Sequence, residues 1–287
     1  MNRKEYFEEV KEIIEQAKIV GNTGNRRGAI QVLEDGLKEY PNNLAIKEEL
    51  LNWHYGIYDP EDECKDNEKR IEILALELKE HEDFKNSAIQ ILVHLYKELG
   101  RQDEIIDDVL KLPSFYQSKN MLLPNVLKGE ERIRAVQKNF IDIFVLFYVS
   151  LLSTYGRKEV GKRDKVLLKI KSFLDTVFED GDYGYYACYL EHMYYKCALD
   201  QANVNNKEKV IEYLRQASKY AKEYDKLRFE TKEFKYTSFL VDRITESNSS
   251  WSFGTEKTCQ EELKEELKRE VFDFIREDEE FKKILNN

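Results

Sequence analysis

The chain has 287 residues, 41% of them hydrophobic and 36% charged, with only 12 glycines and 4 prolines. So few turn residues exclude the turn-dense all-β folds and point to long helices. A formal net charge of -10 argues against the chain itself gripping nucleic acid, because phosphate contacts need clustered Lys and Arg.

Cys64, Cys188, Cys197 and Cys259 are scattered without a CxxC pair, and the opening MNRKEYFEEV is charged. No disulfide framework or secretory signal is expected, which makes the cytoplasm the expected location.

In chain order, Tyr6, Val10, Ile13, Ala17 and Val20 recur at helical spacing until GNTGN ends the first helix. A second is predicted over residues 26–40, with Ala29, Leu33, Gly36 and Leu37 on one face before Pro41. Ala17, Ala29, Leu33, Gly36 and Pro41 fall where a tetratricopeptide repeat of about 34 residues wants small, small, large, small and proline. The pattern recurs with erosion over residues 44–58, in Ile71, Leu74, Ala75 and Leu78 after the polar insertion YDPEDECKDN, and over 86–99. A short helix from Asp103 ends at Pro113, and LPSFYQSKNMLLPNVLKGEE reads as an irregular connection with one turn of helix.

Residues 133–155 follow as a rod. Between Phe140 and Leu152 the clearly polar residues are Asp142 and Ser150, so the helix is expected to pack between neighbours on both sides. It reads as too short and too interrupted for a membrane span. Ile170, Phe173, Leu174 and Val177 are expected on a long antiparallel partner. A clean helical pair is predicted over 185–202 and 207–224, then a less regular region with a loop near residues 247–254. Leu263, Leu267, Val271 and Phe274 form one stripe of a closing helix, followed by Phe281, Ile284 and Leu285, expected to cap the array.

The expectation is therefore a single all-α, tetratricopeptide-like superhelix over residues 1–287 with no β-sheet. Its blocks are N-terminal repeats to about 112, a central long pair and connection over 113–182, a C-terminal repeat over 183–225, and an irregular and capping segment over 226–287. The central rod is expected to join both halves.

KEYPNN, KLPSFYQSKNMLL, FEDGDYGYYACYLEHMY, KYTSFLVDR and FDFIREDEEFKKIL together resemble the carboxy-terminal, tetratricopeptide-like half of Xre-type helix-turn-helix transcriptional regulators of Gram-positive bacteria. The resemblance covers essentially the whole chain. It implies a sensor half whose contact with DNA runs only through a helix-turn-helix domain. None precedes Met1, so the chain is expected to be part of a longer protein or a relative without its reader domain.

No nucleotide-binding, metalloprotease or nucleophile-elbow motif occurs, so no catalytic residue, cofactor or metal is assigned. Cys188 and His192 share a helix face and could begin a metal site, and EDGDYG has the acidic spacing of a calcium-loop fragment. Packing of a thiol and an imidazole, and an acidic turn, explain them as well.

The tyrosines suggest more. Of 18, six crowd between Tyr183 and Tyr195. Tyr185, Tyr189, His192 and Lys196 form one helical row, and amphipathic aromatics suit a ligand groove. By repeat register Asn52, Tyr55, Gln90, His94, His192 and Tyr195 should line a concave surface, where Asn and Gln could hold the amides of an extended peptide. The expected function is non-enzymatic: a regulatory module binding a peptide, small molecule or protein partner there, without membrane contact. The alternative is a constitutive scaffold or dimerisation array, a homodimer included.

Overall fold

A computed structural model of the chain describes residues 3–57, 65–247 and 257–286. Most of the YDPEDECKDN insertion, Cys64, and the expected loop from residue 248 lie outside the described residues. Among those described, fourteen α-helices dominate, with turns of 3-10 helix and one pair of short strands. The chain divides into two compact units, the first running to Ser114 and the second starting at Phe115, where one continuous array was expected.

The first unit holds α1 (Arg3–Asn22), α2 (Arg26–Glu39), α3 (Leu44–Gly56), α4 (Lys65–Leu78), α5 (Lys85–Glu98) and the short α6 (Ile106–Leu110). Each of the first four helices packs on the next in sequence. Local chemistry sets their starts: the Asn25 and Asn43 side chains accept hydrogen bonds from the Gly28 and Ile46 amides, capping α2 and α3. Ala17, Ala29 and Leu33 are wholly buried. At Gly36 a Cβ would sit 2.8 Å from Ile13 Cγ2, so the small residue is what lets α1 and α2 approach.

The second unit contains α7 (Lys119–Val126), α8 (Gly129–Thr154), α9 (Asp164–Leu167), α10 (Lys169–Val177), α11 (Ala187–Ala202), α12 (Lys207–Glu230), α13 (Cys259–Glu266) and α14 (Glu279–Asn286). Strands β1 (Glu233–Lys235) and β2 (Thr245–Ser247) pair antiparallel. The absence of any sheet was therefore an overstatement. A carboxylate and an amide pin the segment around this ribbon. Asp182 accepts from the backbone amides and hydroxyls of Thr237 and Ser238. Buried Gln137 donates to Phe239 O and Asp242 and accepts from the Arg243 amide. Gly184, at φ +53°, is required by close approach, since a Cβ there would lie 2.7 Å from the rings of Phe234 and Tyr236.

Four sequence expectations change here. Helix α8 is not covered all round: Ile141, Phe144 and Leu151 enter the core with α10 and α11 and Asp142 accepts from Asn120 of α7, whereas Leu146 and Val149 are 53% and 54% exposed. Spacing explains the difference. Residues 137, 141, 144, 148 and 151 recur every three or four positions and so share one face, and Ile143, Val145, Leu146 and Val149 between them are exposed. The span Gly129–Arg157 is also long and apolar enough, by length and composition, to cross a membrane, with 22% of its window buried, contrary to the expectation that it is too short.

Its antiparallel partner is not one long helix but α9 and the nine-residue α10, broken around Leu168. The C-terminal stripe is likewise interrupted. After α13 a 3-10 segment, Glu270–Ile275, rotates the chain so that Phe272 and Ile275 are buried and Phe274 is 41% exposed. The tighter 3-10 turn shifts which residues share a face.

Candidate functional site

On the first unit, helical periodicity places Asn52 one turn before Tyr55 on α3, and Gln90 one turn before His94 on α5. The core face of α3 is taken by Ile46, Leu50, Leu51 and Trp53, and that of α5 by Ala88, Ile91, Leu92 and Leu95. Asn52, Gln90 and His94 are consequently exposed and Tyr55 half-buried. The Tyr55 and His94 rings meet, centroids 6.1 Å apart and inclined by 31°. Burial, then the nearby Glu98 carboxylate, pushes the Tyr55 phenol up, so it stays a neutral hydrogen-bonding group at physiological pH. The Arg70–Glu34 pair, at 2.8 Å, ties α4 to α2 on either side of α3 in sequence. The structure thus brings together, on two helices, an aromatic pair and two exposed carboxamides.

The other four predicted residues are placed differently. Tyr185 sits in a 3-10 turn and is wholly buried. Tyr195 is buried too, donating to the Glu266 carboxylate and accepting from Arg269 Nη1. These two line no open groove, because the helix face that carries them is covered. Tyr189 is half-buried edge-on to Phe144 and Tyr148, at 5.2 and 4.7 Å, and burial, followed by Cys188, pushes its phenol up to about 12. His192 is half-buried, and burial and then the Lys196 charge bring its imidazole down to about 4, leaving it neutral at physiological pH. The aromatic row of α11 is therefore a packing seam of the second unit.

Asp182, which opens the DYG of EDGDYG, is occupied by Thr237 and Ser238. Burial raises its carboxyl pKa, yet the hydrogen bonds from Ser238 and Thr237 together hold it below its usual range. Among the described residues, no group of three or more His, Cys, Asp and Glu is placed to hold a metal ion.

Sequence reasoning missed the cavities of the second unit. One of about 360 Å³ lies between Arg134 and Lys138 of α8 and residues 243–246. There Arg243 is paired with Glu130 and Asp242, and Glu246 accepts from the Tyr186 and Tyr236 hydroxyls. A second, about 520 Å³, runs between α12 and α14, where Glu280 pairs with Arg215 and Lys283. A third, of about 250 Å³, is bordered by Arg163, Lys196 and Arg269. The i,i+4 spacing of Arg134 and Lys138 was a visible signal, but the cations of the third cavity come from three distant segments. Set against protein-family models, curated proteins and solved structures, the chain matches none.

Proposed function

We propose that the chain is a non-enzymatic sensor module that takes an extended peptide across the α3 and α5 face of its first unit. The observation that supports this reading most is the contact of Tyr55 with His94, with exposed Asn52 and Gln90 one turn away on their respective helices. A peptide backbone gives up water when it binds and needs replacement donors and acceptors, which a carboxamide supplies from one side chain. Aromatic rings add contact area at low entropic cost. Helical hairpins set side by side, with small residues at close-contact positions, support a tetratricopeptide-like character for this unit. In the setting that the family resemblance suggests, occupancy of this face would be passed to a DNA-binding domain.

Panning a displayed library of random linear peptides on the full chain tests the reading. Selected peptides are expected to lose at least tenfold in affinity when Asn52 and Gln90 are both changed to Ala, and similarly with His94→Ala. All these side chains are exposed, so folding should survive. Peptides that bind wild type and the variants equally would contradict the proposal.

A further inference from the structure

The cavity of about 250 Å³ in the second unit is lined by Arg163, Lys196 and Arg269, with Asp200 as its carboxylate and Asn203 and Tyr155 among its remaining walls. Three cations border this cavity, in a chain of net charge -10. Among the described residues the carboxylate forms no ion pair with them. Asp200 is 4% exposed and is taken up by the backbone amides of Gly161, Arg163 and Asp164, at 3.0, 2.9 and 3.3 Å.

Other acids meet the set only in part: Glu266 pairs with Arg269, and its charge also acts on Lys196. The Arg163 guanidinium is held by two neutral carbonyls, Lys158 O at 3.0 Å and Gly156 O at 3.3 Å. Among the described residues neither it nor Lys196 forms an ion pair. Lys196 lies 5.9 Å from the centroid of the Tyr195 ring. Arg269 alone has a carboxylate, Glu266 at 3.1 Å, and it also donates through Nη1 to the Tyr195 hydroxyl.

Two of the three cations are therefore fixed in position by protein atoms, and five guanidinium donors on each leave some for a ligand. Like charges facing one space repel, and an anion between them relieves that repulsion. Two planar forks and an ammonium match the oxygens of a phosphate better than those of a single carboxylate. The ends of α8 and α11 also meet the cavity, through Tyr155 and Asn203. Cations there complement the negative ends of helix dipoles, and a purely structural role would need nothing more.

We infer that this cavity binds a small phosphomonoester, its phosphate held by Arg163, Lys196 and Arg269 and its organic part against Tyr155. The site is separate from the peptide face of the first unit and does not depend on it.

Thermal denaturation and calorimetric titration of the full chain with inorganic phosphate and with phenyl phosphate, at ionic strength matched with sodium chloride, test the assignment. The organic part should make phenyl phosphate bind more tightly than inorganic phosphate; equal binding would assign the site to free phosphate and remove the ester from the proposal. Lys196→Gln removes a charge with no ion pair among the described residues, so the fold should persist, and phenyl phosphate affinity should fall at least tenfold. Cations that serve only the helix ends give a different result: no saturable stabilisation beyond matched chloride, or equal affinity in wild type and Lys196→Gln. Either would overturn the inference.

Discussion

Replacing Phe144 with Ala should destabilise the second unit by about 3–5 kcal/mol, the range for removing a fully buried aromatic side chain. Phe144 is wholly buried, and its ring meets those of Tyr148, Phe173, Tyr186 and Tyr189 at centroid distances between 5.2 and 6.1 Å. Four partners from α8, α10, the 3-10 turn and α11 cannot all close over the void, so a cavity remains and its lining loses contacts. Phe147, stacked on Phe173 at 5.0 Å but only half-buried, should cost less when trimmed, because part of its surface already faces water.

Segment-resolved amide exchange checks both size and location. Protection should fall in α10–α12 and stay unchanged in α1–α5, since each unit has its own hydrophobic core. An equal loss of protection in α1–α5 would show that the two units unfold as one.

The second large effect is expected at Asp164. Its side chain is 1% exposed and accepts from Lys209 Nζ at 2.7 Å, the Tyr213 hydroxyl at 2.9 Å and the Lys165 amide at 2.8 Å. This one carboxylate fixes the start of α9 to α12. Asp164→Ala should cost roughly 3 kcal/mol, the lower end of the range for breaking a buried pair. The low end applies because Lys209 is 38% exposed and regains water, whereas the Tyr213 hydroxyl is left without its acceptor.

The pH dependence has a definite sign. Burial raises the Asp164 carboxyl pKa, but the hydrogen bonds from Lys209, Tyr213 and the Lys165 amide outweigh it and leave the folded pKa below the ordinary value. A depressed folded pKa contributes stability above the unfolded pKa, near 4, and loses it as pH falls through the folded value. Denaturant melts of wild type and Asp164→Ala should therefore differ by a constant amount from neutral pH down to about 4 and converge below it. Convergence on raising the pH instead would contradict the assignment.

What could be read from the sequence follows from how local each cause is. The α1–α2 hairpin was legible because Ala17, Ala29, Leu33 and Gly36 carry both period and size, and the asparagine caps and Pro41 mark its limits. Asn52, Tyr55, Gln90 and His94 were legible for a related reason: polar residues out of phase with a strong apolar period must face outward. Tyr185 and Tyr195 were not, since tyrosine suits a groove and a half-polar core equally, and the covering elements come from far along the chain, Glu266 and Arg269 among them. Composition marked α8 as apolar on most sides but could not say how many neighbours it has. The break around Leu168 and the 3-10 turn that buries Phe272 are settled by tertiary contacts, which override periodicity. The cation cavity joins residues more than a hundred positions apart, beyond any local pattern.

The central claim is that a peptide lies across α3 and α5, and the side-chain amide resonances of Asn52 and Gln90 report on it most directly. In a labelled full chain titrated with a peptide selected by panning, both pairs of amide signals should shift and saturate together, with slowed hydrogen exchange as each carboxamide gains a backbone partner. Saturable binding that leaves both amides unmoved would place the peptide elsewhere and contradict the account.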